Sequence, residues 1–184
     1  MRAAVNTAFD VAFWLMDTAQ EVGEHVQPQK LQRLLFLAQA YYSVIHGGRA
    51  LMPAVFVADD LGPVEPNVHA AMSRGRPELD VDIFLPGDVE TLLGSVWRRF
   101  GSMASDDLTA ITKRTPAYIE AYRRGPGTAI PLDAIRDSFL RSETAPPLAE
   151  VIKPRIMRTQ SGRPVQVRSW SPGADAPGGD RNPL

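Results

Sequence analysis

The feature that most constrains this chain is one long amphipathic helix with a clear start and stop. Pro28 occupies a first helical position, where its missing N–H would be unpaired anyway, and Gly47-Gly48 supplies a left-handed C-cap. Between them apolar residues recur at the three- and four-residue spacing of one helix face: Leu31, Leu34, Leu35, Ala38, Tyr41, Tyr42 and Ile45. The pattern predicts a helix over 28–46 with this face in the core. The polar residues that lie mostly off the face are Gln29, Lys30, Gln32 and Arg33.

An extended segment and a stiff turn follow this helix. Residues 51–58 favour a strand, because β-branched and aromatic residues dominate their second half, and Pro53 points to an edge position or a late start. The run Gly62-Pro63-Val64-Glu65-Pro66 predicts a turn with few conformations, since each proline fixes its own φ and restricts the residue before it. Pro66 then opens a second helix that reaches Met72.

The motifs of this stretch come in a distinctive order. KLQRLLFLAQAYY is followed by a Gly-Gly plus Arg-Ala-Leu link, an extended segment ending at Ala58, and GPVEPNVH. This order resembles the Panacea domain, also called the SocA-like or GepA-like phage-associated domain. The resemblance implies an antitoxin that neutralises a toxin encoded next to it by direct binding. Asp59 and His69 depart from the pattern, which usually has an aromatic residue and often a tyrosine at those positions.

The rest of the resemblance rests on further predicted helices, and it covers roughly residues 7–141. The predicted elements are helices over 7–22, 88–100, from Ser105, from Thr115-Pro116 and over 130–140, with a possible short strand over 81–85. Asp88, Ser105 and Thr115 are the predicted N-caps. The segment DDLTAITKRTPAYIEAYRRG is similar to a second signature of the family, with Lys113 in place of its histidine and Tyr118 in place of its tryptophan.

Charge and composition divide the chain into an acidic body and a basic tail. Residues 1–150 hold 14 Lys/Arg and 19 Asp/Glu, a net charge of −5, whereas residues 151–184 hold 6 and 2, a net charge of +4. From residue 142 onward proline and glycine are frequent and apolar residues become scarce, which is typical of linkers. We predict a mainly α-helical, compact domain over 1–141 with a minor β element, and an extended Pro/Gly-rich tail over 142–184 that can order on a partner.

The same features bear on the compartment of the protein. The chain has no cysteine, so it has neither a disulfide framework nor a thiolate metal site. The apolar run over 11–16 is too short for a membrane span and is bounded by Asp10 and Asp17, unlike a secretory signal. We expect a cytoplasmic protein that does not contact a membrane.

The sequence offers little catalytic chemistry. His25, His46 and His69 are isolated from one another and from any ligand spacing, and no phosphate-binding glycine motif is present. Asp59 and Asp60 are adjacent on an extended segment, so their side chains point to opposite faces and do not converge on one ion. The expectation is a protein without enzymatic activity, cofactor or metal, in which these carboxylates lie in a solvated turn or, if they are functional, form a negative patch that faces a basic partner.

Two regions are the candidates for partner binding. The first is the turn region, with Asp59, Asp60, Leu61, Gly62, Pro63, Val64 and Pro66. The second is the tail, where no acidic residue occurs from 151 to 174 and where cations alternate with apolar residues: Arg155, Arg158, Arg163 and Arg168. The expected partner is a cognate toxin, with a homo-oligomer also possible.

Two other functions remain open at this point. A nucleic-acid-binding repressor would act through the basic tail and the arginines at helix ends, although the acidic body argues against it. A phage-associated accessory protein would order its tail inside a larger assembly.

Overall fold

The computed structural model describes residues 2–73, 75–79, 84–141 and 146–152, together with the backbone of two strands at 156–158 and 164–166. The predicted mainly helical fold with a minor β element is confirmed. The elements are α1 (Ala8–Glu21), α2 (Pro28–Ile45), β1 (Phe56–Asp59), β2 (Gly62–Val64), α3 (Pro66–Met72), α4 (Gly87–Phe100), α5 (Ser105–Lys113), α6 (Pro116–Arg123), β3 (Thr128–Ile130), α7 (Leu132–Leu140), α8 (Leu148–Val151), β4 (Ile156–Arg158) and β5 (Pro164–Gln166). Most of the strand predicted over 81–85 lies outside the described residues.

Helix α2 is the centre of the fold, and every residue from 31 to 43 is buried. It packs against α4, α5 and α7. Its predicted ends are confirmed, with Pro28 in the first turn and with positive φ at the glycine pair that follows the helix. Its aromatic side chains meet others edge to face, with Phe36 on Phe56 at 5.3 Å between ring centroids and Tyr41 on Phe139 at 5.2 Å.

One prediction about α2 is wrong. Gln32 and Arg33, placed off the core face by their polarity, are only 2 % and 1 % exposed. Their burial is possible because each side chain forms hydrogen bonds with the backbone of the segment that follows the helix.

The sheet has three antiparallel strands in the order β2-β1-β3. Val57 of β1 pairs with Val64 of β2 on one side and with Ala129 of β3 on the other. The late strand start inferred from Pro53 is confirmed, because β1 begins at Phe56, but the edge position is wrong, because β1 is the central strand. Strand β3 was not predicted: its last residue, Ile130, was assigned to the final helix, which begins instead at Leu132.

The helix N-termini confirm one predicted cap and correct two. Thr115 caps α6 by accepting a hydrogen bond from the backbone N–H of Tyr118. Helix α4, however, begins at Gly87, so Asp88 lies in its first turn rather than at its cap, and Ser105 is likewise the first residue of α5. The residues before these helices, Pro86 and Ala104, already have the extended geometry of a cap position.

The described chain forms two compact units, Met1–Ile152 and Lys153–Leu184. The first extends one short helix past residue 141, because α8 packs on α4 and buries Val151 in the core. The Tyr41 hydroxyl also donates a hydrogen bond of 2.8 Å to the carbonyl of Pro146. In the second unit, β4 and β5 form an antiparallel pair with Met157 opposite Val165. Within the described residues, no helix is both long and apolar enough to cross a membrane.

Candidate functional site

A tight hairpin between β1 and β2 forms the candidate site. Asp59 pairs with Gly62 across the turn, and the Asp59 Oδ1 atom accepts a hydrogen bond of 3.2 Å from the N–H of Leu61. Gly62 has a φ of +120°, and among the described residues only glycines have positive φ. Asp at the first position and Gly at the fourth are typical of a type I turn that continues into a bulged strand.

The turn therefore lies earlier than predicted. It occupies residues 59–62, whereas residues 62–64 of the predicted 62–66 turn form strand β2. Pro63 is tolerated there because β2 is an edge strand, where a missing N–H need not break the ladder. Glu65 and Pro66 then start α3 as its N-cap and first residue.

The buried guanidinium of Arg33 fastens this hairpin to the core. Its Nη1 donates to the carbonyl of Pro63 at 2.7 Å, its Nη2 donates to the carbonyl of Leu61, and its Nε donates to the Thr109 hydroxyl of α5 at 3.1 Å. Burial lowers the pKa of Arg33, and the interactions with Tyr118 and Asp59 oppose that shift. The planar, forked shape of a guanidinium lets one side chain hold two carbonyls and a hydroxyl together.

Two glutamines of α2 fix the neighbouring backbone in the same way. Gln32 Oε1 accepts a hydrogen bond of 2.8 Å from the N–H of Glu65, whose carboxylate in turn accepts from the N–H of Val68 at 2.7 Å and so caps α3. Gln39 Oε1 accepts from the N–H groups of Leu51 and Met52 at 3.2 and 3.1 Å. The polar residues of the buried helix thus hold the whole segment from the Gly-Gly link to α3.

Side chains of α5 and α6 also hold the tip of the hairpin. The Tyr118 hydroxyl donates to the carbonyl of Asp59 and the Tyr122 hydroxyl donates to the carboxylate of Asp60, both at 2.7 Å. Lys113 Nζ donates to the carbonyl of Asp60 at 2.9 Å. The two tyrosine rings are stacked with centroids 5.6 Å apart, and the ammonium lies about 6 Å from each ring.

The surroundings of these tyrosines raise both of their pKa values. Burial, followed by the neighbouring Tyr122, raises the pKa of Tyr118 to about 12. The hydrogen bond to Asp60 raises the pKa of Tyr122. Both hydroxyls therefore remain protonated well above neutral pH and continue to donate their hydrogen bonds to Asp59 and Asp60.

The structure separates the predicted turn residues into an exposed group and a buried group. Asp60, Leu61 and Pro66 are exposed, with Leu61 at 55 %, and Asp59 and Val64 are half-buried. Gly62 and Pro63 are buried, so they shape the turn rather than offering a surface of their own. A partner approaching this region meets chiefly Asp60 and Leu61.

A small cavity of about 90 Å³ opens beside the hairpin. Its lining comes from α2, the hairpin and α3: Gln29, Gln32, Arg33, Asp59, Leu61, Val64 and His69. The cavity is large enough for part of one side chain, and both His69 and the exposed Leu61 line it.

The side chains of the four predicted tail residues are outside what the structure describes. Arg158 lies on strand β4, of which the backbone alone is described, and Arg155, Arg163 and Arg168 lie outside the described residues. Among the described residues no group of three or more His, Cys, Asp or Glu side chains is placed to hold a metal ion.

Sequence reasoning missed four residues of the site, namely Arg33, Lys113, Tyr118 and Tyr122. The available signal was an arginine among the leucines early in α2, followed further along the chain by a Gly-Pro pair whose neighbouring carbonyls need hydrogen-bond donors.

Comparison with protein-family models, with curated proteins and with solved structures gives no match for this chain.

Proposed function

We propose that this chain is a Panacea-type antitoxin that neutralises a toxin encoded beside it by direct protein binding. The observation that carries the proposal is the hydrogen bonding of Arg33 to the carbonyls of Leu61 and Pro63. Arg33 belongs to the motif KLQRLLFLAQ and the two carbonyls lie in or just before the motif GPVEPNVH. The two motifs on which the family resemblance rests are therefore parts of one hydrogen-bonded unit.

The form of this unit favours binding as its role. Its buried polar side chains are directed at backbone atoms, and its exposed part is a short turn held at several points. A surface whose shape is fixed before association loses less conformational entropy on binding. The proposed mode of action is occlusion of the toxin by this surface in the cytoplasm, without a cofactor and without catalysis.

A growth assay tests the proposal directly. The adjacent open reading frame is expressed alone and then together with this chain, from separately inducible promoters. We expect growth arrest in the first case and recovery in the second. Absence of arrest, or arrest that this chain does not relieve, would rule out the antitoxin function for this pair of genes.

The second unit gives a specific reason to keep nucleic-acid binding as a second candidate. Strands β4 and β5 pair within a segment, 151–174, that has five Lys/Arg and no Asp/Glu. Two-stranded basic ribbons are one of the elements that proteins place in DNA grooves. If this function holds, binding of the full chain to duplex DNA weakens steeply as salt increases, because each neutralised phosphate releases counterions. Binding that is absent at low salt would exclude it.

A further inference from the structure

We propose that the hairpin tip and the outer face of α6 form one docking surface for a protein that offers an apolar socket with cationic side chains at one rim. This docking surface consists of Asp60, Leu61, Ile119 and Tyr122. The inference rests on the proposed function, since it assigns the surface and the partner chemistry by which the antitoxin would recognise its toxin.

The apolar side chains of the docking surface are exposed. Leu61 is 55 % exposed, Tyr122 37 % and Ile119 36 %. The hydrogen bond from Tyr122 to Asp60 ties the helix to the residue that precedes Leu61, and Ile119 lies three positions before Tyr122, on the same face of α6. Exposed leucine, isoleucine and tyrosine side chains in one patch are a common mark of a protein interface.

The charge of the hairpin end selects the chemistry of the partner. Within the described residues, neither Asp59 nor Asp60 forms an ion pair with a lysine or arginine. Asp106 adds a third carboxylate, because it lies three positions before Thr109 on the face of α5 that contacts Arg33. Two cations contact the backbone of the tip: the ammonium of Lys113 donates to the carbonyl of Asp60, and the buried guanidinium of Arg33 donates to the carbonyl of Leu61, so the three carboxylates outnumber them by one.

The charge at the other end of the surface has the opposite sign. Arg123 lies one helical turn after Ile119, at the end of α6. A partner with cations at one rim is therefore attracted at the hairpin end and repelled at the far end, which fixes its orientation.

The tip is held in place before any partner arrives. Both backbone polar groups of Leu61 are bonded, the N–H to Asp59 and the carbonyl to Arg33. The leucine side chain thus projects from a fixed backbone, and the tyrosine beside it is held by its own hydroxyl. A surface that is fixed in this way before association loses less conformational entropy on binding.

Site-specific photo-crosslinking tests the proposal in the full chain. A benzophenone amino acid replaces Leu61, Ile119 or, as a control of similar exposure, Val22 at the end of α1. Each variant is expressed with the product of the adjacent open reading frame, and growth rescue is scored in parallel with covalent adducts. We expect adducts from 61 and 119 and none from 22.

The outcomes separate this inference from the antitoxin function. Rescue without an adduct at 61 would overturn the docking surface and leave the function intact. If residue 61 forms an adduct but the product of the adjacent open reading frame does not arrest growth, the docking surface stands and the antitoxin function is overturned. The absence of both, or an equal adduct from Val22, would overturn the docking surface.

A neutral polar variant supplies an independent measurement of the apolar anchor. Leu61→Asn is expected to weaken the affinity for the same product about 10- to 100-fold, whereas Val22→Asn should change it less than about threefold. Thermal melts of both variants establish that each is folded. Equal loss in the two variants, or no loss in Leu61→Asn, would contradict the proposal.

Discussion

Gly62 has no room for a side chain, because the guanidinium of Arg33 occupies the place where one would begin. A Cβ atom built on Gly62 lies 2.8 Å from Cζ, 2.9 Å from Nε and 3.0 Å from Nη2 of that side chain. The guanidinium cannot move away without losing its bonds to the hairpin carbonyls. A glycine in the turn and an arginine in the central helix are therefore parts of one packing arrangement.

The first prediction concerns this contact. Gly62→Ala should destabilise the protein by about 2–5 kcal/mol, from left-handed backbone strain and from the clash together. Gly125→Ala is the matched control, because Gly125 has a φ of +127° and its nearest neighbour would be 4.0 Å away. It should cost about 1–2 kcal/mol, the strain alone. Urea denaturation gives both values.

The same pair predicts a coupling between positions 33 and 62. In an Arg33→Met background the clash is gone, so adding Gly62→Ala should cost no more than Gly125→Ala does. Arg33→Met alone should cost about 3 kcal/mol or more, because buried carbonyls lose their donors. Strictly additive effects of the two substitutions would show that the guanidinium and Gly62 do not compete for the same space.

Much of the fold follows from local patterns in the sequence. Pro28 and the glycine pair at 47–48 locate α2, and Thr115-Pro116 locates the start of α6, because these residues suit helix ends for reasons of backbone geometry alone. The strand at 128–130 could not be found in this way. It is short, ends next to Pro131, and forms only because Gly125 and Gly127 direct the chain back to β1.

The candidate site was predicted only in part, because its central residue breaks the polarity rule used to orient α2. Periodicity places polar residues toward solvent. Arg33 is nevertheless buried, because the carbonyls that accept its hydrogen bonds, those of Leu61 and Pro63, lie 28 and 30 positions away in the chain. The tyrosines of α6 are more distant still, at 59 and 62 positions from their acceptors. No local pattern in the sequence indicates hydrogen-bond partners at such separations. A turn, in contrast, could be predicted from the adjacent Gly62 and Pro63.

Gln39 carries the next prediction. Gln39→Leu keeps the size of the side chain but leaves the buried N–H groups of Leu51 and Met52 without their acceptor. We expect a loss of about 2–4 kcal/mol in the free energy of unfolding. The same substitution at Gln29, which is exposed on the same helix, should change stability by less than about 0.5 kcal/mol. Similar effects at both positions would contradict the role assigned to Gln39.

The boundary of the first unit gives a prediction about truncation. A chain that ends at Ile152 should unfold cooperatively, because the compact unit is Met1–Ile152. A chain that ends at Pro147 lacks α8 and exposes the core that Val151 covers, where this side chain is 2 % exposed. The shorter chain should be less stable by about 1.5–3 kcal/mol. Equal midpoints in urea for the two truncations would show that α8 does not belong to the core.

The last prediction concerns ionisation of the tyrosines. All four have raised pKa values: burial is the main cause for Tyr41, Tyr42 and Tyr118, and the hydrogen bond to Asp60 is the main cause for Tyr122. The fold therefore favours the neutral phenol. The stability that this contributes is complete below the ordinary pKa of 10.0 and is lost as the pH rises toward about 12, the value for Tyr118.

Phenolate absorbance should consequently appear at higher pH in the native protein than in denaturant, where all four tyrosines should titrate near 10. Asp60→Asn is the control variant for the hydrogen bond between Tyr122 and Asp60, two residues of the docking surface. It removes the carboxylate charge that raises the pKa of Tyr122 and contributes to the raised pKa of Tyr118, so these two tyrosines should titrate closer to their ordinary pKa, whereas Tyr41 and Tyr42 keep their native titration. Coincident titration curves of the native and the denatured protein would show that the contacts described do not hold the hydroxyls. That result would also contradict the hydrogen bond that links α6 to the hairpin.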